Sequence, residues 1–131
     1  MIVLDTSGLY SLLDPRDPGH DRATEAADRR GTPFVLPAAM LGEAAYLVET
    51  RLGSSVWTTV LEGIERAAYA VDWRPNDIGL VREVLGRMPE VGYVDAAVAV
   101  TATRLRAPVL SLDRRHFIPL SGLLRFPLEA A

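Results

Sequence analysis

The chain has 131 residues, 49% hydrophobic and 24% charged, the balance of one folded domain and not of a disordered chain. It lacks cysteine, and all 14 basic residues are arginine, which excludes disulfides, thiolate metal sites, a cysteine nucleophile, a P-loop lysine and a Schiff-base lysine. The net charge of −3 is uneven: residues 1–100 carry 9 arginines against 15 acids, whereas residues 101–131 carry 5 arginines against 2 acids. That is not the footprint of a general nucleic-acid binder, but it permits a local basic rim beside an acidic site.

Ile2–Leu4 is a short apolar run ending at Asp5, and Thr6, Ser7 and Gly8 follow. It reads as a buried strand entering a helix, with Leu9, Leu12 and Leu13 at helical spacing. Residues 14–19 hold two prolines and read as a loop. Asp21–Arg30 reads as an exposed helix closed by Gly31, and Phe34–Leu36 as a strand stopped by Pro37. Helices follow over Ala38–Leu52, ending at Gly53, and over Val56–Ala68. Tyr69–Val71 is a brief strand. Pro75 and Asn76 open a helix to about Met88, and another covers Asp95–Arg106. Val109–Leu112 is a strand, and Leu123–Phe126 is the candidate last one. Strands alternate with helices and are continuous apolar runs, which predicts an α/β fold: a three-layer α/β/α domain over residues 1–131 with a central parallel sheet of four to five short strands. No stretch of ~18 apolar residues could span a membrane. The first five residues carry no cation and place Asp5 in their apolar run, unlike a secretory signal. A soluble cytoplasmic protein is the expectation.

Four acids stand alone in apolar surroundings. Asp5 is the sole charge among the first 13 residues, Glu43 the sole one between Phe34 and Val48, and Asp95 the sole one between Val91 and Thr103. Asp113 ends the run Ala-Pro-Val-Leu-Ser-Leu. Desolvating an unpaired carboxylate costs several kcal/mol. Two of these acids follow strands and two lie on helices, an arrangement that lets them meet at the carboxyl edge of the sheet. Two carboxylates ~4 Å apart repel by about 4 kcal/mol at an effective dielectric of ~20. A hard cation such as Mg²⁺ or Mn²⁺ resolves that repulsion. Ser7 and Ser111 are placed to orient carboxylates or water. Each acid also has a plain structural role open to it: Asp5 and Asp95 as helix caps, Glu43 as an arginine partner, Asp113 as a turn residue. Asp72, beside Trp73 and Arg74, reads as a strand-end surface acid.

Ile-Val-Leu-Asp-Thr-Ser at 2–7, Leu-Gly-Glu-Ala at 41–44 with Arg51-Leu52-Gly53, Gly-Tyr-Val-Asp-Ala-Ala at 92–97 and Val-Leu-Ser-Leu-Asp-Arg-Arg-His-Phe at 109–117 occur in one order and spacing. Through them the chain resembles the PIN-domain family, and within it the VapC-type toxins of bacterial toxin–antitoxin pairs. Tyr93 stands where leucine is common there and Ser111 where threonine is common. The resemblance implies a Mg²⁺- or Mn²⁺-dependent endoribonuclease whose metal-ligating and catalytic acids fall on Asp5, Glu43, Asp95 and Asp113. It also implies a small antitoxin that covers an apolar groove, and a homodimer; Tyr10, Tyr46, Trp57 and Tyr93 are candidate surface anchors. Arg114, Arg115 and His116 are candidate RNA contacts, although a solvated turn is an equal reading of the arginines, and His20 and His116 read as surface residues. Competing functions are a solitary nuclease of this family without an antitoxin, a non-catalytic RNA- or protein-binding module with an acidic metal pocket, and an aspartyl phosphatase. The phosphatase lacks its second Asp, because Ser7 stands there, and it lacks lysine.

Overall fold

The computed structural model describes residues 1–129. A parallel sheet of five strands runs β3-β2-β1-β4-β5, with β1 Ile2–Leu4, β2 Phe34–Pro37, β3 Tyr69–Asp72, β4 Val109–Leu110 and β5 Leu128–Glu129. β1 is central, and its three residues are fully buried. Val3 lies opposite Val35 on one side and Val109 on the other. A strand buried on both faces needs an apolar side chain at every position, which is why the run is continuous and not alternating.

Seven α-helices cover the sheet among the described residues: α1 Thr6–Leu13, α2 His20–Arg30, α3 Leu41–Leu52, α4 Ser54–Glu65, α5 Ile78–Arg87, α6 Gly92–Leu105 and α7 Arg114–Leu124. Single 3₁₀ turns lead into α3, α5 and α6. Helices α1–α4 pack along one another and reach β1, β3 and β4. Helices α5–α7 form the other layer, in which α6 lies across β1, β2 and β4. The buried side of α6 is made small by Ala96, Ala99 and Ala102, so its backbone sits close to the strands. Gly8 allows another close approach: a Cβ there would lie 2.2 Å from the Leu110 carbonyl oxygen. The first turn of α1 is thereby held against the end of β4.

The expected three-layer parallel architecture is the one observed. Gly31 and Gly53 close α2 and α3 with positive φ, 68° and 99°. Three local expectations differ. First, the sequence reading leaves residues 114–122 without an element and places a strand at Leu123–Phe126. The chain instead forms α7 to Leu124, turns at Arg125 (φ 61°), and pairs Leu128 and Glu129 with β4. Pro119 sits inside α7 and normally marks a break, costing about 3 kcal/mol. Full burial of Phe117 and Leu120 from the same helix offsets that cost. Second, β4 stops at Leu110, not Leu112; at Ser111 the N–H still reaches the Glu129 carbonyl at 3.4 Å while the hydroxyl donates to Asp5. Third, α6 starts at Gly92, three residues before the expected start at Asp95, and Asp95 lies within its first turn.

Candidate metal centre

All strands run parallel, so the residues just after β1 and β4 emerge side by side at one edge of the sheet. Asp5 follows β1 and is the N-cap of α1, where its Oδ1 accepts the Gly8 N–H at 2.6 Å. Asp113 follows β4 and is the N-cap of α7, where its Oδ1 accepts the His116 N–H at 3.3 Å. Both strand-end acids therefore do act as caps, and both also face a common cleft. The first turn of α3 brings Glu43 to that cleft and the first turn of α6 brings Asp95. Asp5, Glu43, Asp95 and Asp113 line about 440 Å³ of open space together with Thr6, Ser7 and His116, beside an apolar wall of Leu47, Val91 and Val94.

Asp5 is the floor. Its carboxylate accepts the Ser111 hydroxyl at 2.6 Å and the Ser7 hydroxyl at 2.8 and 3.0 Å, besides Gly8. Ser7 in turn accepts the Leu112 N–H at 2.9 Å, and Ser111 accepts the Asp113 N–H at 3.0 Å. The two serines thus lock the β1–α1 junction to the β4–α7 junction. Burial raises the Asp5 carboxyl from 3.8 to about 6; the bonds from Ser111, Gly8 and Ser7 pull it back down, and the Asp95 charge adds to the rise. A carboxylate has about four lone-pair directions, so three donors leave Asp5 one for the cleft.

Asp95, Asp113 and His116 come closest together, with one donor atom from each within 4.8 Å of the others. His116 Nδ1 is 2.8 Å from Asp95 Oδ2 and 3.4 Å from Asp113 Oδ2. Asp95 is pushed above the ordinary carboxyl value by burial and by the charges of Asp113 and Glu43, and the His116 bond opposes that rise. Glu43 stands at the rim, where its Oε1 accepts the Thr6 hydroxyl at 2.6 Å. Among the described residues no arginine lines this cleft. Four carboxylates answered only by hydroxyls, backbone N–H groups and one imidazole are a donor set that fits a divalent cation.

Two cleft residues, one of them a candidate RNA contact in the sequence reading, hold places among the acids that the sequence does not give them. His116 is expected at the surface, yet its side chain is only 17% exposed and faces two acids. It lies three residues after Asp113, one helical turn on, a signal that required recognising α7. Thr6 reads only as a cap residue but holds Glu43. His20 is half-buried, with Nδ1 2.7 Å from the Ser11 carbonyl, away from the cleft. Arg114 and Arg115 form the exposed first turn of α7 and not a loop turn. Arg115 lines a side cleft of about 250 Å³ with Met88, Glu90 and Pro119 that meets the acidic cleft at Val91 and His116. Of the aromatic anchors, Tyr46 and Tyr93 are exposed, whereas Tyr10 is buried and Trp57 packs on the core. Asp72, set aside as a surface acid, is half-buried and bound by Arg104.

The chain is a parallel five-strand α/β/α sandwich whose acidic cleft lies at the carboxyl edge of the sheet, where open sheets of this kind bind ligands. The PIN domain profile matches residues 2–120, and the chain belongs to the PIN-domain family. It is 30% identical over 123 residues to Ribonuclease VapC26 of Mycobacterium tuberculosis, covering 91% of each chain. Among solved structures it resembles M. tuberculosis VapC20, described as a sarcin–ricin loop cleaving toxin, with a TM-score of 0.78 and 18% identity over 91% of this chain and 95% of that one. FitAcB from Neisseria gonorrhoeae matches with a TM-score of 0.65 and 19% identity, covering 98% of this chain and 96% of that one.

Proposed function

We propose that this chain is a single-domain, metal-dependent endoribonuclease, the toxin of a toxin–antitoxin pair, acting in the cytoplasm. The supporting observation is one cleft that gathers four carboxylates without a guanidinium, in a chain 30% identical to a ribonuclease. Asp5, Asp95 and Asp113 would hold Mg²⁺ or Mn²⁺, with Glu43 in support at the rim. The cation supplies Lewis acidity toward water and phosphoryl oxygens. The residues of the chain arrange the rest. Ser7 and Ser111 fix the Asp5 carboxylate, so it needs no reorganisation when the substrate arrives. Thr6 aims Glu43 into the cleft, where its free oxygen can accept a proton from the attacking water. In-line attack on phosphorus with departure of the 3′ oxygen leaves a 5′-phosphate and a 3′-hydroxyl.

Arg115, which lines the side cleft, is the main RNA contact of this reading, and Arg114 beside it is the lesser one. Two cations in the first turn of a helix oppose its dipole and lose about 0.3–1 kcal/mol each. That cost is offset when a phosphate lies against them. The small antitoxin and a second copy of the chain are the protein partners. No helix among the described residues is long and apolar enough to cross a membrane.

The test is cleavage of total cellular RNA with end mapping. The expected result is discrete new 5′-phosphate ends that require Mg²⁺ or Mn²⁺, vanish with chelator, and vanish in Asp95→Asn. Cation binding without any cleavage would favour the non-catalytic module. Cleavage without an antitoxin gene beside the toxin gene would favour the solitary nuclease.

A further inference from the structure

The acids alone do not describe the donor set at the heart of the cleft. His116 enters it from the first turn of α7, with its backbone N–H tied to Asp113 and its ring wedged between two carboxylates. We propose that His116 Nδ1 is a ligand of the same cation as Asp95 and Asp113, which makes the site a mixed nitrogen–oxygen centre that takes a first-row transition cation such as Mn²⁺ in preference to Mg²⁺. The proposal rests on the metal-dependent reading above and adds the identity of the metal.

Three observations carry it. The first is spacing. Donors ~2.1 Å from an octahedral ion and at right angles to each other lie ~3.0 Å apart. The 2.8 and 3.4 Å separations of Nδ1 from Asp95 Oδ2 and Asp113 Oδ2 bracket that edge, and one donor atom from each of the three residues lies within 4.8 Å of the others. The second is restraint. The His116 side chain is only 17% exposed, and α7 is anchored by Phe117 and Leu120, both fully buried. The imidazole is therefore aimed before a cation arrives, and little ordering entropy is lost on binding. The third is chemistry. Carboxylate and water suit Mg²⁺ and Mn²⁺ alike, whereas imidazole favours first-row transition ions over Mg²⁺. In the liganded tautomer the ring proton resides on Nε2, leaving the Nδ1 lone pair for the ion.

The experiment uses the full chain loaded with Mn²⁺, whose unpaired electrons report directly bonded nuclei. Nitrogen hyperfine coupling is expected in the electron spin echo of bound Mn²⁺, and it should vanish in His116→Ala and His116→Gln. Calorimetry should show Mn²⁺ affinity falling about tenfold or more in both variants while Mg²⁺ affinity falls less than about threefold. Bound Mn²⁺ without nitrogen coupling in the wild type, or equal losses for the two ions, would overturn the proposal while leaving the nuclease reading intact. Binding of Mg²⁺ without Mn²⁺ would overturn the proposal alone, and failure of both ions to bind would overturn the nuclease reading with it. The wild-type spectrum decides the matter even if a variant fails to fold.

Discussion

Two groups of carboxylates sit at the carboxyl edge of the sheet, and the fold treats them in opposite ways. At the β3 end, Asp72 and Asp77 close on the Arg104 guanidinium, which reaches both Asp77 oxygens at 3.0 Å and pairs with Asp72 as well. At the β1 and β4 ends, Asp5, Glu43, Asp95 and Asp113 meet hydroxyls, backbone N–H groups and one imidazole. The first group shares one guanidinium supplied by the chain itself. The second keeps like charges near one another, and burial raises Asp5 and Asp95 above the usual carboxyl range. What separates a structural acid from a cation site is therefore whether the fold brings a guanidinium to it, and not isolation in the sequence alone.

The comparison breaks most visibly under parallel substitutions. Asp95→Asn should lower RNA cleavage by about 10²–10³-fold, the range for removing a group that acts on transition-state charge. Asp72→Asn should leave cleavage within about twofold and cost stability of about 1 kcal/mol, because its partner keeps Asp77. Single-turnover rates and melting curves measured on both variants check this. Comparable loss of cleavage in the two would erase the distinction.

Acidity sharpens it next. The Asp5 carboxyl is raised to about 6, above its ordinary value of 3.8, so the metal-free folded state holds that proton more tightly than the unfolded chain does. Its contribution is fully present below pH ~4 and is lost as pH rises through ~6. On the order of 3 kcal/mol should disappear across that window in metal-free protein. Asp5→Asn should remove this part of the pH dependence. Glu129, held by Arg29 and Arg30 and lowered by the Arg30 bond above all, behaves in the reverse sense and loses stability as pH falls. Denaturant titrations from pH 4 to 7 on wild type and Asp5→Asn check the difference.

Metal should act on one group only. Saturation to 100-fold over Kd adds about 2.7 kcal/mol to a native state that alone binds the ion. Wild type and Asp72→Asn should both gain it, and Asp95→Asn should lose most of it. Melting temperatures with Mn²⁺ and with chelator provide the check.

The same contrast explains what could be read from the residues. Asp5, Glu43, Asp95 and Asp113 were legible because charge inside apolar runs is a local signal, and parallel strands bring their ends to one edge. The partner of Asp72 was not: Arg74 is its neighbour in sequence, yet Arg104, 32 residues away, is the one that binds. His116 was named only as a candidate RNA contact, and its place between Asp95 and Asp113 was hidden behind Pro119 and Gly122. Both residues argue locally against a helix, while Phe117 and Leu120, whose burial only tertiary packing reveals, argue for one. The partner of the Ser111 hydroxyl was hidden for a similar reason, since its acceptor is Asp5, 106 residues distant.

The smallest expected effect separates two adjacent arginines. Arg114 and Arg115 both lie in the exposed first turn of α7, but only Arg115 lines the side cleft that joins the acidic cleft at His116 and Val91. A phosphate contact releases counterions and contributes a salt slope of about −0.7 on single-stranded nucleic acid. Arg115→Ala should therefore flatten the dependence of RNA affinity on salt by about 0.7 units. Arg114→Ala should change it by less than about half as much, because its place in the turn does not bring it to the side cleft. Neither change should destabilise the chain, since removing a cation from a helix N-terminus relieves an unfavourable dipole interaction. The measurement is RNA affinity against salt in an Asp95→Asn background with Ca²⁺ present, so that binding is read without turnover. Equal slopes for both variants and the parent would place the phosphates elsewhere, and a larger effect at Arg114 would route the RNA away from the side cleft.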